Sequence, residues 1–180
     1  MPDSTSQSLI QYAQLPDDVV VVRVIGRGDH RLSLALKTLG DQFKRPNYSP
    51  RFLFDIRDCT ALDSTFMGIL AALALHQKSS RQERTVLVNA NPTTERQLTT
   101  LGLNYLLDIR AGGANGILQT PVQFQNAETA ATESRFQQIV HMIEAHQTLV
   151  DISSGNEVLF RHVLDSLQES AEHEKSSNIG

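Results

Sequence analysis

Four consecutive valines open the segment 19–25 and constrain the fold of this chain more than any other feature. β-branched side chains favour strands, and a run that is apolar at successive positions predicts a strand buried on both faces. Similar short patterns predict strands at 8–13, 52–56, 85–88 and 106–109, and an edge strand at 122–124. Helical patterns lie between the later strands, at 32–43, 65–75 and 93–100. This alternation predicts an α/β fold with a sheet of about four to five mixed strands and helices packed on it.

The net charge and the predicted secondary structure of the chain change near residue 124. Residues 1–123 carry a charge balance of +2, whereas residues 124–180 carry −6 and read as helical, with patterns at 127–150 and 156–167. We therefore predict one domain over 8–124, a C-terminal helical extension over 125–170 and a flexible tail over 171–180. Helices with an apolar face and an acidic outer face either pack on the sheet or mediate dimerisation or partner docking, and the sequence leaves both open.

Composition excludes several classes of function. The chain has 180 residues and a single cysteine, Cys59, so neither a disulfide framework nor a thiolate metal site is expected. No basic stripe indicates nucleic-acid binding, and no apolar run approaches the roughly 20 residues that a membrane helix needs. His141 and His146 are five residues apart, which is not the spacing of a metal pair on one helix face. Because the first residues are polar and do not resemble a signal peptide, we expect a cytoplasmic protein without metal or cofactor.

The segment after the second predicted core strand carries the most functional information. It reads Asp63-Ser64-Thr65-Phe66-Met67-Gly68 and opens an apolar helix. Aspartate and serine are good N-caps, because their oxygens accept hydrogen bonds from the free N–H groups of the first turn. The hydroxyl of Ser64 is expected near the surface at the positive end of the helix dipole, where a phosphate would be stabilised. Spacing alone does not separate a plain helix cap from a phosphoacceptor.

This segment resembles the D-S-[ST]-G-[LM]-G motif of the STAS domain, the fold of the anti-sigma factor antagonists. Three further pieces occur in the family's order: the loop 26–29 with Asp29, the strand and turn at 86–92, and the helix end at 98–103. The resemblance covers roughly residues 8–124. Phe66 departs from it, because the family often has glycine there, and the ring is expected to alter the surface at the helix start and the choice of partner.

The resemblance implies a binding module rather than an enzyme. It implies that Ser64 is the phosphoacceptor, that Thr65 is the alternative acceptor, and that Asp29, Asp63, Thr65, Phe66 and Met67 contact the partner. That partner would be an anti-sigma factor with serine kinase activity, opposed by a phosphatase, and ATP and magnesium would belong to the kinase. Phosphorylation of Ser64 would release the partner, because the added charge is tolerated at a helix start but opposes docking.

Two other readings stay open. One is a STAS adaptor without phosphorylation, serving a transporter or a signalling complex, and the other is a small hydrolase that pairs Ser64 with a distant histidine such as His30 or His76. Homo-oligomerisation through the C-terminal helices is a further expectation.

Overall fold

A computed structural model describes residues 8–45, 48–110, 122–128 and 133–177 of the chain. Seven strands and five α-helices occur in these ranges. The strands are β1 (Leu9–Leu15), β2 (Val19–Gly28), β3 (Arg51–Asp55), β4 (Cys59–Leu62), β5 (Thr85–Val88), β6 (Leu107–Arg110) and β7 (Gln125–Asn126). The helices are α1 (His30–Gln42), α2 (Ser64–Arg81), α3 (Pro92–Thr100), α4 (Arg135–Ile152) and α5 (Gly155–Ser177). None of the helices in the described ranges is both long and apolar enough to cross a membrane.

The strands form one mixed sheet in the order β6-β5-β3-β2-β1-β7. β1 pairs antiparallel with β2 and with β7, whereas β3, β5 and β6 continue from β2 in parallel. The long strand β2 has two parallel partners, because residues 19–23 pair with β3 and residues 26–28 pair with β4. The starts of α1 and α2 follow directly on β2 and β4, so this second pairing brings the two helix starts together.

The valine run lies at the centre of the sheet, and it is buried on both faces as predicted. Val20, Val22 and Val24 face the main core, which they share with the apolar faces of α1 and α2. Val21 faces the opposite side, in a small cluster with Leu53 and Val88. The helices therefore cover the larger apolar face of the sheet.

Several element boundaries differ from the prediction. Residues 59–62, for which the sequence predicts no strand, form β4, because the end of β2 offers them a strand edge to pair with. The edge strand predicted at 122–124 lies instead at Gln125–Asn126. Residues 171–177 were expected in a flexible tail but continue α5, and residues 178–180 lie outside the described ranges, as do 111–121.

The helices α4 and α5 form a hairpin, which we call the C-terminal hairpin. Its first helix, α4, packs across α2, and the side chains of Ile139, Ala145 and Leu149 are buried there. The crossing is close at Gly68, because a Cβ atom at that position would run into the backbone of Ala145. The structure thus places α4 on the helix α2, where the sequence offered packing on the sheet as one alternative.

Candidate functional site

Two helix starts lie side by side at the end of β2 and β4, and each is capped by an aspartate. Asp29 is the N-cap of α1, and its carboxylate accepts hydrogen bonds from the backbone N–H groups of Arg31 and Leu32. Asp63 is the N-cap of α2, and its Oδ1 accepts from the N–H of Phe66 at 2.8 Å. Both aspartates are half-buried, so their first role is structural.

Asp63 also joins the two helices. Its second oxygen, Oδ2, accepts a hydrogen bond from the backbone N–H of His30, the first residue of α1, at 2.9 Å. The backbone N–H of Asp63 in turn donates to the carbonyl of Gly28 at 2.9 Å. The positive ends of two helix dipoles therefore meet close to residue 64, which favours negative charge at this place.

Ser64 is the first residue of α2, as the sequence predicts, but its hydroxyl is not free at the surface. The side chain is half-buried, and its Oγ lies 2.9 Å from Nε2 of His146 on α4. His146 is itself only 4% exposed. The expectation of an exposed hydroxyl is corrected here, because the C-terminal hairpin lies over the start of α2.

The direction of this hydrogen bond follows from the other nitrogen of the ring. His146 Nδ1 lies 2.7 Å from the carbonyl oxygen of Met142, and since a carbonyl can only accept, Nδ1 carries the proton. In the neutral ring Nε2 then has a lone pair, and the Ser64 hydroxyl donates to it. Any group attached to Ser64 Oγ would remove the proton that His146 accepts.

A serine hydroxyl next to a histidine nitrogen is also the arrangement of nucleophile and base in hydrolases. The hydrolase hypothesis expected His30 or His76 to act as the base for Ser64. Both of these side chains are exposed, and the histidine next to Ser64 is His146. Here the orienting group of the ring is the main-chain carbonyl of Met142 and not the carboxylate of a catalytic triad. The pair therefore satisfies a buried histidine at a helix contact.

An open cleft of about 350 Å³ lies beside Ser64, between α2, α3 and α5. Its walls combine apolar side chains with polar ones, including one cation: Ser64, Met67, Arg96, Gln97, Thr100, Leu101 and Phe160. The Arg96 side chain is exposed, so it can approach an anion in the cleft. The hydroxyl of Ser64 therefore has one covered side, toward His146, and one side that faces an open cleft.

The other residues predicted to contact a partner are largely buried. Phe66 is 1% exposed, and its ring packs against Leu62 and the Gly28 backbone, so it does not form the altered surface that was expected. Thr65 and Met67 are also buried, although Met67 lines the cleft. Thr65 and Phe66 belong to the continuous buried run at the start of α2, and Phe66 is part of the main core.

Sequence reasoning did not find the two residues that join the C-terminal hairpin to this site. His146 was considered only for a metal pair with His141, and nothing in its local sequence points to Ser64, 82 residues away. Gly68 was read only as part of the motif, yet its missing side chain admits the Ala145 backbone. His141, also 4% exposed, has the same kind of partner, because its Nε2 lies 2.8 Å from Ser33 Oγ on α1. The recurring pairing of serine with histidine is visible only in three dimensions.

Comparison with known proteins identifies the fold. Neither a family model nor a curated protein matches the chain. Among solved structures, a candidate anti-sigma factor antagonist from Thermotoga maritima is similar with a TM-score of 0.50 and 21% identity, and the match covers 59% of this chain and 89% of that one. The anti-sigma factor antagonist SpoIIAA in its unphosphorylated form has a TM-score of 0.48 and 18% identity, and the match covers 56% of this chain and 86% of that one. Bacillus SpoIIAA in its phosphorylated form has a TM-score of 0.46 and 18% identity, and the match covers 56% of this chain and 89% of that one. The chain thus has the STAS fold of anti-sigma factor antagonists.

Proposed function

We propose that this protein is a non-enzymatic binding module that acts as an anti-sigma factor antagonist and is switched off by phosphorylation of Ser64. The observation that carries the proposal is the position of the Ser64 hydroxyl, at the first residue of α2 beside the capping carboxylate of Asp63. The shared fold with the Thermotoga protein supports an anti-sigma factor as the class of partner, and the resemblance of the 63–68 motif adds serine kinase activity to that proposal.

The chemistry of the switch belongs mainly to the partner. The kinase transfers the γ-phosphoryl group of ATP to Ser64 Oγ, so that the new O–P bond forms as ADP leaves and the hydroxyl proton is released. The product carries about −1.5 to −2 charges. The start of α2 stabilises this charge by about 0.3–1 kcal/mol, part of which the capping carboxylate of Asp63 offsets, while a partner surface over the same point meets repulsion and desolvation. The fold is retained and the complex dissociates.

Affinity measurements with substituted full-length protein test the proposal. The probes are the purified serine kinases of the anti-sigma class from the same genome, measured one by one with wild type, Ser64→Ala and Ser64→Asp. For a binding kinase we expect Ser64→Ala to keep the affinity and Ser64→Asp to lose at least about tenfold, or 1.4 kcal/mol. Ser80→Asp is the matched control, because it adds the same charge at an exposed position near the other end of α2. Equal affinities of Ser64→Asp and wild type would contradict the switch.

Mass spectrometry after incubation with kinase and ATP then identifies the acceptor. Phosphate is expected on Ser64, whereas Thr65, the alternative acceptor, is 4% exposed and should stay unmodified. Phosphate on neither residue would contradict the proposed acceptor.

A second candidate is a STAS adaptor that is not phosphorylated. The observation that favours it is the hydrogen bond from Ser64 to His146, which already occupies the hydroxyl. An adaptor would bind its partner equally well in all three forms of residue 64 and would gain no phosphate in the kinase reaction.

A further inference from the structure

The C-terminal hairpin lies on the same face of α2 that the proposed partner would use. His146 covers Ser64, and one turn further along α2 the backbone of Ala145 lies against Gly68. The first two turns of α2 are therefore in contact with another helix of the same chain. A partner centred on Ser64 would have to occupy space that α4 now fills.

Most of the hairpin's buried contacts come from a single helix, α4, while α5 adds the hydrogen bond from Asn156 to the carbonyl of Leu101. α4 buries three apolar side chains and makes polar contacts to α1, through Lys37 and Glu144 at 2.7 Å and through Ser33 and His141 at 2.8 Å. In α5, by contrast, the only buried residue of the described helix is Asn156, and three apolar side chains are exposed: Val158, Leu159 and Val163. Because no strand of the sheet is built from this segment, the hairpin can leave as one unit without breaking a strand pair.

A fold of this kind is nearly complete in fewer residues than this chain has. The Thermotoga structure is matched over 89% of its length by 59% of this chain. About two-fifths of this chain thus lies outside the matched fold, which leaves room for the hairpin as an addition to it.

We propose that the C-terminal hairpin is a displaceable cover of the Ser64 face, and that a partner or kinase reaches this face only when the hairpin leaves it. The identity of the partner that binds this face rests on the proposed function, whereas the displacement of the hairpin does not. Because a partner on Ser64 and the docked hairpin would occupy the same face of α2, partner binding and hairpin docking oppose each other, and each must weaken the other by the same factor.

Hydrogen exchange of the wild-type full-length protein gives the first test. The amides of 139–149 in α4 should open together, at least tenfold more often than the amides of 20–24 in β2. The same opening constant for both segments would overturn the proposal, since the hairpin would then leave only when the whole protein unfolds.

Chemical labelling of a Ser64→Cys variant gives the second test, with a maleimide-coupled polyethylene glycol as the probe, because a small reagent could enter the open cleft beside residue 64 while the hairpin is docked. Adding Leu149→Ala, which removes a fully buried side chain of α4, should raise both the labelling rate of residue 64 and the exchange of α4 by the same factor, at least tenfold. Val163→Ala is the matched control, because that side chain is 40% exposed on α5 and both rates should stay unchanged. Cys59 adds little background, because burial raises the pKa of its thiol, and wild-type protein measures that background.

The results of these two tests distinguish a failure of the proposed cover from a failure of the proposed function. If Leu149→Ala speeds the exchange of α4 but leaves the labelling of residue 64 unchanged, α4 does not cover the site and the proposal is overturned. Retained protection of the β2 amides in the same samples shows that the variants are folded. No partner takes part in either test, so a failure of Ser64→Asp to weaken partner binding would remove the proposed switch and leave the cover standing.

Discussion

The sheet with its helices and the C-terminal hairpin are held together by different kinds of contact. The sheet and its helices are held together by strand pairing and by a large apolar core that includes Val22, Phe54 and Leu36, each 0% exposed. The hairpin adds only a few buried apolar residues and is positioned by polar pairs, among them Ser64 with His146 and Ser33 with His141. Apolar burial is strong but has little directionality, whereas a hydrogen bond fixes which atoms meet. The core therefore provides stability, and the polar pairs set the register of the hairpin on α2.

The largest effect is expected from a substitution where α4 crosses α2, because it should weaken docking of the C-terminal hairpin without unfolding the sheet. Gly68→Ala places a methyl group against the Ala145 backbone, which cannot rotate away as a side chain can. We expect hairpin docking to lose about 3 kcal/mol, the upper end of the usual cost of overpacking, while the sheet stays folded. Hydrogen exchange of α4 and of β2 in one experiment measures both effects.

Gly40→Ala is the matched control for this prediction. It also adds a methyl group inside a helix, but the atoms it meets belong to the flexible side chain of Leu73. Its effect should be smaller and should not be confined to the hairpin. Protection of α4 in Gly68→Ala equal to that of wild type would show that the crossing is not close in solution.

Asn156 should have the next largest effect, because it secures the turn of the hairpin. Its side-chain amide donates to the carbonyls of Leu101, at the end of α3, and of Leu149, in α4. Asn156→Ala leaves two buried acceptors without this donor and should cost about 2 kcal/mol in the free energy of unfolding. Urea denaturation measures the loss, and Asn104→Ala, at a half-buried residue near the same helix end, is the comparison. Equal losses in both variants would contradict a special role for Asn156.

The smallest predicted effect is a pH dependence at His141. Burial, followed by the charge of Lys37 and with His30 acting in the same direction, lowers the pKa of His141, while Glu144 opposes them. The unfolded chain takes up a proton near pH 6.5 and the folded protein only at lower pH, so stability is complete above 6.5 and falls as the pH drops below it.

The loss should stay below about 1.4 kcal/mol for each pH unit, the limit for one proton. His141→Gln removes the titrating group and keeps a polar partner for Ser33, so its stability should change less between pH 7 and pH 5.5. Urea denaturation of both proteins at the two pH values measures the difference. A loss of the same size in both would assign the pH dependence to other groups.

Local patterns were sufficient for five of the seven described strands, β1, β2, β3, β5 and β6, and for the start of α2. The valine run, the cap Asp63 and the proline at the first position of α3 each act within a few residues, so the sequence alone predicts their elements. β4 was missed because its four residues form a strand only through pairing with the end of β2. The contact of His146 with Ser64 was missed for the same reason on a larger scale, since it depends on where a distant helix packs.

The shared carboxylate of Asp63 gives the site one more property. A single side chain receives hydrogen bonds from the first turns of both α1 and α2, so a tilt of one helix pulls on the other. Removing this one carboxylate would therefore take a hydrogen-bond acceptor away from both helix starts at once.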